Sequence, residues 1–181
     1  DADPRDVLTL TAELPTDRDA FLAAVSDGDT ERAVRLYAGP FLPDMGFPGG
    51  AEFELLADLE RQRLRNAYVR ALETLIRERF SAGRLREAVA LARTLRDEDP
   101  AREGSWRVLL EHLIAVNDTL AARLEAEALE SLLRAEERQP GAATVSLLGR
   151  ARAEPGEGAG PSPWLRADLI GREREFAALT A

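Results

Sequence analysis

The chain has 181 residues, which suits one domain with short flanks, and at 45% hydrophobic and 31% charged it can bury a core and is not disordered by composition. It has no cysteine, so disulfides and thiolate metal sites are excluded and a reducing, cytoplasmic setting is expected. All 24 basic residues are arginine, which excludes a phosphate-loop lysine, a Schiff base and a lysine nucleophile; the net charge of -9 opposes direct contact with a phosphate backbone.

The first residues, "DADPRDVLTL", carry no initiator Met and no basic-then-apolar signal pattern, and read as the edge of a longer protein. "VLTLTAEL" over residues 7–14 alternates apolar and polar and predicts a strand left over from an upstream domain. "TDRDAFLAAVSDG" over residues 16–28 predicts a helix capped by Thr16 or Asp17 and stopped by Gly28. A second helix starts at Asp29 or Thr30 and places Ala33, Leu36 and Tyr37 on one face. The loop "GPFLPDMGFPGG" follows, and its three prolines and four glycines forbid a continuous helix. A helix of about 30 residues is predicted next, from near Gly50 to Gly83, with Phe53, Leu56, Leu59, Leu64, Tyr68, Leu72 and Leu75 at helical spacing.

Charge is uneven along the chain. Residues 1–60 hold 14 acids against 4 arginines, residues 61–107 hold 12 arginines against 7 acids, and the remainder is acidic again. The arginine-rich middle reads as a solvated helix surface with pairs such as Glu73–Arg77. Three further amphipathic helices are expected over residues 85–100, 102–116 and 118–140, with a shorter one near 142–152. Residues 153–164 form a Pro/Gly linker, and 165–181 read as the start of another domain. The longest apolar runs, near residues 108–116, are interrupted by Glu111 and fall well short of the roughly 20 residues of a membrane span.

A shift of 34 residues places Leu72 on Trp106, Leu75 on Leu109, Gly83 on Asn117 and Ala88 on Ala122. Each register has a physical role. Gly83 and Asn117 suit a tight left-handed turn, Ala88 and Ala122 allow close helix approach, Trp106 supplies bulk, and Pro100 ends a helix. That is the tetratricopeptide period, a helical hairpin that stacks on its neighbours. "DGDTERAV" at residues 27–34 parallels "AGRLREAV" at 82–89, which suggests another hairpin earlier in the chain.

No residues are assigned to catalysis, a cofactor or a metal. His112 is the sole histidine and reads as structural or surface, and the acids sit at helix-surface spacings. Trp106 reads as core rather than as a stacking platform for a ligand.

Four stretches resemble the bacterial transcriptional activator domain: "DRDAF" at residues 17–21, "AVRLYAGPFLPD" at 33–44, "EFELLADLERQRLRNAYVRALETL" at 52–75 and "RTLRDEDPAREGSWRVLLEHLIAVND" at 93–118. In the third, Leu56 stands where the family usually has Trp. The resemblance implies an all-α, tetratricopeptide-like fold of stacked hairpins in a right-handed superhelix with one long helix, over residues 15–152. It further implies an upstream winged-helix DNA-binding domain, of which residues 1–14 are a remnant. "LIGREREFAAL" at 169–179 is similar to the start of a STAND-type ATPase domain. The expected function is a non-enzymatic regulatory module of a bacterial transcriptional regulator. Its partners would be itself, flanking domains of its parent or RNA polymerase, with DNA reached only through the missing domain. A general tetratricopeptide peptide-binding adaptor is the alternative. Signature and structural residues are Phe21, Tyr37, Gly39, Pro40, Phe41, Leu42, Gly83, Ala88, Pro100, Trp106, Asn117 and Ala122. Phe41 and Leu42 are expected to be largely buried beneath the long helix.

Overall fold

The computed structural model describes residues 16–43 and 50–153. The strand expected over residues 7–14, most of the linker and the segment 165–181 lie outside the described residues. Within them the chain is all helical: α1 (Asp17–Ser26), α2 (Thr30–Leu36), α3 (Gly50–Ser81), α4 (Leu85–Glu98), α5 (Glu103–Ala115), α6 (Thr119–Ala135) and α7 (Ala142–Arg152). No described helix is long and apolar enough to cross a membrane.

Each start has a local cause. The Thr16 side chain accepts from the Asp19 backbone N–H, Asp29 from Arg32, and Asp118 from Ala121. Arg84 stands at the start of α4 with no side-chain cap. Helix ends are repeated more closely than helix starts. At the end of α3 the Gly83 N–H donates to the Phe80 carbonyl and the Arg84 N–H to Arg79. Thirty-four residues on, Asn117 donates to Ile114 and Asp118 to Leu113; at the end of α1, Gly28 donates to Val25 and Asp29 to Ala24. This is the Schellman closure, which needs a left-handed residue. Gly83 takes φ 73° without strain, and Asn117 takes φ 59°, which Asn tolerates better than most residues. A fourth copy ends α6, where Glu137 takes φ 53° with no glycine or asparagine there to announce it.

The turn is followed each time by a small residue. The N–H groups of Ala33, Ala88 and Ala122 donate to the carbonyls of Asp29, Arg84 and Asp118, and all three alanines are essentially fully buried. The 34-residue pairs share burial as well: Leu72 with Trp106 and Leu75 with Leu109 are all core positions.

The structure divides into two compact units, at His112/Leu113. In the first, α2 packs between α1 and α3, and α4 folds back along the second half of α3. Its core is built from Phe21, Ala24, Leu64, Tyr68, Leu72 and Ile76, with Leu95 and Leu109. In the second, α6 packs on α7 through Ala126, Leu129, Leu133, Leu147 and Leu148. Helix α3 departs from expectation at its start. The helical spacing predicts Leu56, Leu59 and Leu64 on one packed stripe; Leu64 is buried as expected, but Leu56 and Leu59 are 65% and 60% exposed, and Ala57 is buried in their place. A step of about 100° per residue rotates Leu56 away from Ala57, so both leucines fall on the outer face.

Candidate functional site

The signature loop leaves α2 at Tyr37 and is described to Pro43. Two aromatic contacts fix its root. Tyr37 lies 5.6 Å from Phe21 of α1, ring centroid to centroid, and stacks on Tyr68 of α3 at 4.1 Å with the planes 14° apart. Gly39 takes φ 143°, a conformation closed to most side chains, and Pro40 follows on the exposed outside of the turn.

Phe41 and Leu42 are neither fully buried nor exposed, and both face a cleft shared with Phe21 of α1 and Leu64 of the long helix. The long helix also grips the loop by its backbone. Arg61 Nε donates to the Phe41 carbonyl at 2.7 Å, and Nη2 donates to the Leu42 carbonyl at 2.8 Å. Leu42 has φ 48°, a left-handed conformation costing a leucine about 1–2 kcal/mol, and the guanidinium fork holds it there. The third nitrogen, Nη1, pairs with Asp58 at 2.6 Å. Arg61→Lys keeps the charge but cannot bridge two carbonyls. We expect it to cost about 1–2 kcal/mol, the hydrogen bonds being part-exposed. Hydrogen exchange at residues 38–43 should rise with it, and unchanged protection there would refute the brace.

Arg61 is one of several arginines with specific roles, so the arginine-rich middle is more than a solvated surface. Arg18 of α1 reaches Glu60 of α3 at 2.8 Å. Arg79 of α3, only 17% exposed, meets Glu31 of α2 at 2.5 Å and Glu87 of α4 at 3.3 Å. The Arg79 guanidinium holds the Glu31 carboxyl below its ordinary value. Arg65 donates to the Glu98 carbonyl at the end of α4. The expected Glu73–Arg77 pair does not form: Glu73 binds Arg102 at 3.1 Å, and Arg77 Nε turns back to the Glu73 carbonyl. A charge-spacing rule sees i,i+4 neighbours and misses an acceptor on the next helix, so the sequence does not announce these braces.

Clefts open in the first unit among the described residues. Phe21, Tyr37, Phe41, Leu42 and Leu64 line one of about 420 Å³, with Asp17 and Arg18 also among its walls. Its lining is mostly apolar and suits an apolar group. A second, of about 460 Å³, is polar, with Arg65, Arg70 and Arg102 facing Glu73 and Asp99. A third, of about 430 Å³, brings His112 near Ser81 and Glu111. His112 Nδ1 lies 2.7 Å from the Val108 carbonyl, and the ring stands edge-on to Phe80 at 4.9 Å. With Nδ1 spent on its own helix and no hydrogen bond to Ser81 or Glu111, the three make no relay. Among the described residues no group of three His, Asp or Glu is placed to hold a metal.

Burial pushes both the Tyr37 and Tyr68 phenols above their ordinary value of 10.0, and the Glu98 carboxylate adds to the effect. The unfolded chain releases these protons near pH 10, while the fold retains them. Stability is therefore full below that pH and is lost as pH rises from it toward the raised values. The urea midpoint should fall as pH rises above about 10, and Tyr37→Phe should flatten that fall. An equally steep fall in the variant would dissociate it from Tyr37.

The remaining signature residues are structural. Ala88 and Ala122 are buried, Gly83 and Asn117 are exposed at their turns, and Pro100 follows the end of α4. Trp106 is buried, with Nε1 donating to the Pro100 carbonyl at 2.8 Å and the Arg96 guanidinium 5.0 Å above its ring. It is a core residue and offers no open face to a ligand. No curated protein and no solved structure matches this chain. The family described as the bacterial transcriptional activator domain matches residues 12–151. That span takes in the aromatic root, the arginine-braced loop and the 34-residue hairpin register, and the chain accordingly belongs to the bacterial transcriptional activator domain family.

Proposed function

We propose that this domain regulates transcription through protein contacts, coupling an upstream DNA-binding domain to a downstream nucleotide-switch domain, to a second copy or to RNA polymerase. The family match over residues 12–151 carries this reading. The surface chemistry supports it. The net charge of -9 opposes duplex binding, and the clefts lack a catalytic constellation. Stacked helical hairpins also present grooves suited to a helix or peptide.

Retention assays with the immobilised chain test the reading. Bacterial RNA polymerase holoenzyme, the flanking domains of the parent and the chain itself are offered in turn, and fluorescence anisotropy measures binding to duplex DNA. Retention of at least one protein with no sequence-specific duplex binding is expected. Retention of none, or specific duplex binding by this chain alone, would overturn it.

A further inference from the structure

We propose that the outer face of α3 is a self-association seam, on which a second copy of this chain lays its own α3 antiparallel about a two-fold axis between Leu56 and Leu59. The inference rests on the regulatory reading above and deepens it by naming one partner. Leu55, Leu56 and Leu59 are 62%, 65% and 60% exposed, an apolar patch on a helix that already buries its opposite face.

The flanks of the patch identify the occupant. Glu52, Leu56, Leu59 and Arg63 follow one another at intervals of four, three and four, the spacing of a coiled-coil seam, and all four are exposed. Leu56 and Leu59 are equidistant from their midpoint, and so are Glu52 and Arg63, at about 8 Å on either side given a rise of 1.5 Å per residue. A two-fold axis through that point therefore sets Leu56 of each copy against Leu59 of the other. It also sets Glu52 of each copy against Arg63 of the other, so the surface is complementary to itself. A parallel pairing would instead oppose Glu52 to Glu52 and Arg63 to Arg63. Among the described residues Glu52 makes no ion pair and the exposed Arg63 pairs with Glu60, at 3.5 Å, a contact that a partner's carboxylate can replace. The chemistry selects an antiparallel second copy over a uniformly acidic or basic helix, since each of those would meet a like charge at one end.

A seam this short buries less than the roughly 1,200 Å² of a standard interface, so the dimer is weak and concentration-dependent. Sedimentation equilibrium of the whole 181-residue chain over a concentration series tests the pairing. The wild type is expected to show a reversible monomer–dimer equilibrium, and Leu56→Glu to abolish it. Glu52→Arg and Arg63→Glu should each weaken the dimer about tenfold, and the double variant should recover it, because the swap restores both pairs. All these positions are exposed, and circular dichroism should show unchanged folding. A wild type monomeric throughout, a dimer indifferent to Leu56→Glu, or a double variant no better than the singles would each overturn the seam. A monomeric chain that still retains polymerase or a flanking domain overturns the seam alone and leaves the regulatory reading standing.

Discussion

Replacing Trp106 by alanine should lower the unfolding free energy by about 3–5 kcal/mol. Three losses combine. The ring is 6% exposed, so its removal leaves a void among α4 and α5 side chains that cannot close fully. The indole N–H bond to the Pro100 carbonyl, which ties the α4–α5 turn to α5, disappears. The Arg96 guanidinium loses the aromatic face on which it rests. Trp106→Phe separates these terms. It keeps most of the apolar volume, loses the donor and presents a poorer π face, and should cost about 1–2 kcal/mol. Urea unfolding with an unchanged slope is the measurement. A loss below about 1 kcal/mol for alanine would mean that the ring is not core and would reopen the ligand-platform reading.

The second large effect is expected at Phe21, where alanine should cost about 3–5 kcal/mol. Phe21 is 2% exposed and is the α1 member of the aromatic row that continues through Tyr37 to Tyr68. Its loss opens the floor of the apolar cleft and removes the edge against which Tyr37 is set, a pair contributing about 0.5–1.5 kcal/mol beyond area. The consequence should spread along the chain, because Tyr37 is the root of the signature loop. Hydrogen exchange over residues 36–43 should accelerate in Phe21→Ala and much less in Phe21→Leu, which should cost roughly 1.5 kcal/mol or less. Equal acceleration in both would show that the loop depends on ring shape at this site and not on volume.

These two residues also mark what could be read from the sequence. Trp106 was assigned to the core from the 34-residue register alone, because Leu72 holds the corresponding position one hairpin earlier. The turns were legible for the same reason: Gly83 and Asn117 are the residues that tolerate the left-handed backbone a Schellman closure demands. Glu137 takes that conformation too, at the end of α6, and nothing in its side chain advertises it. Periodicity also misjudged the start of α3. A string of leucines near the core stripe reads as one face, yet Leu56 and Leu59 lie about 100° or more from Ala57 and stay in solvent. The loop is legible as a signature, but only half of its anchoring is. Apolar Phe41 and Leu42 suggest burial by side chain, and both are partly covered, but nothing in them announces that the helix also holds their carbonyls through Arg61. Such a bond joins positions 20 and 19 residues apart, and no local pattern encodes it.

The arginine braces have a further implication for how the first unit behaves. Arg18, Arg61 and Arg79 tie α1, the loop, α2 and α4 to the one long helix, so α3 acts as the spine. Its inner face packs on the neighbouring helices, while Leu55, Leu56 and Leu59 on its outer face are exposed. Any signal passing through this domain by contact on that face would be felt by the helix on which everything else is mounted.

Regulation of transcription through protein contacts by this domain is tested in a bacterial reporter. The chain is fused to an unrelated monomeric DNA-binding domain whose operator lies upstream of a weak promoter, with equal operator occupancy verified for both proteins. Transcription above the level of the DNA-binding domain alone is the expected result. Reporter output indistinguishable from that of the DNA-binding domain alone would contradict it.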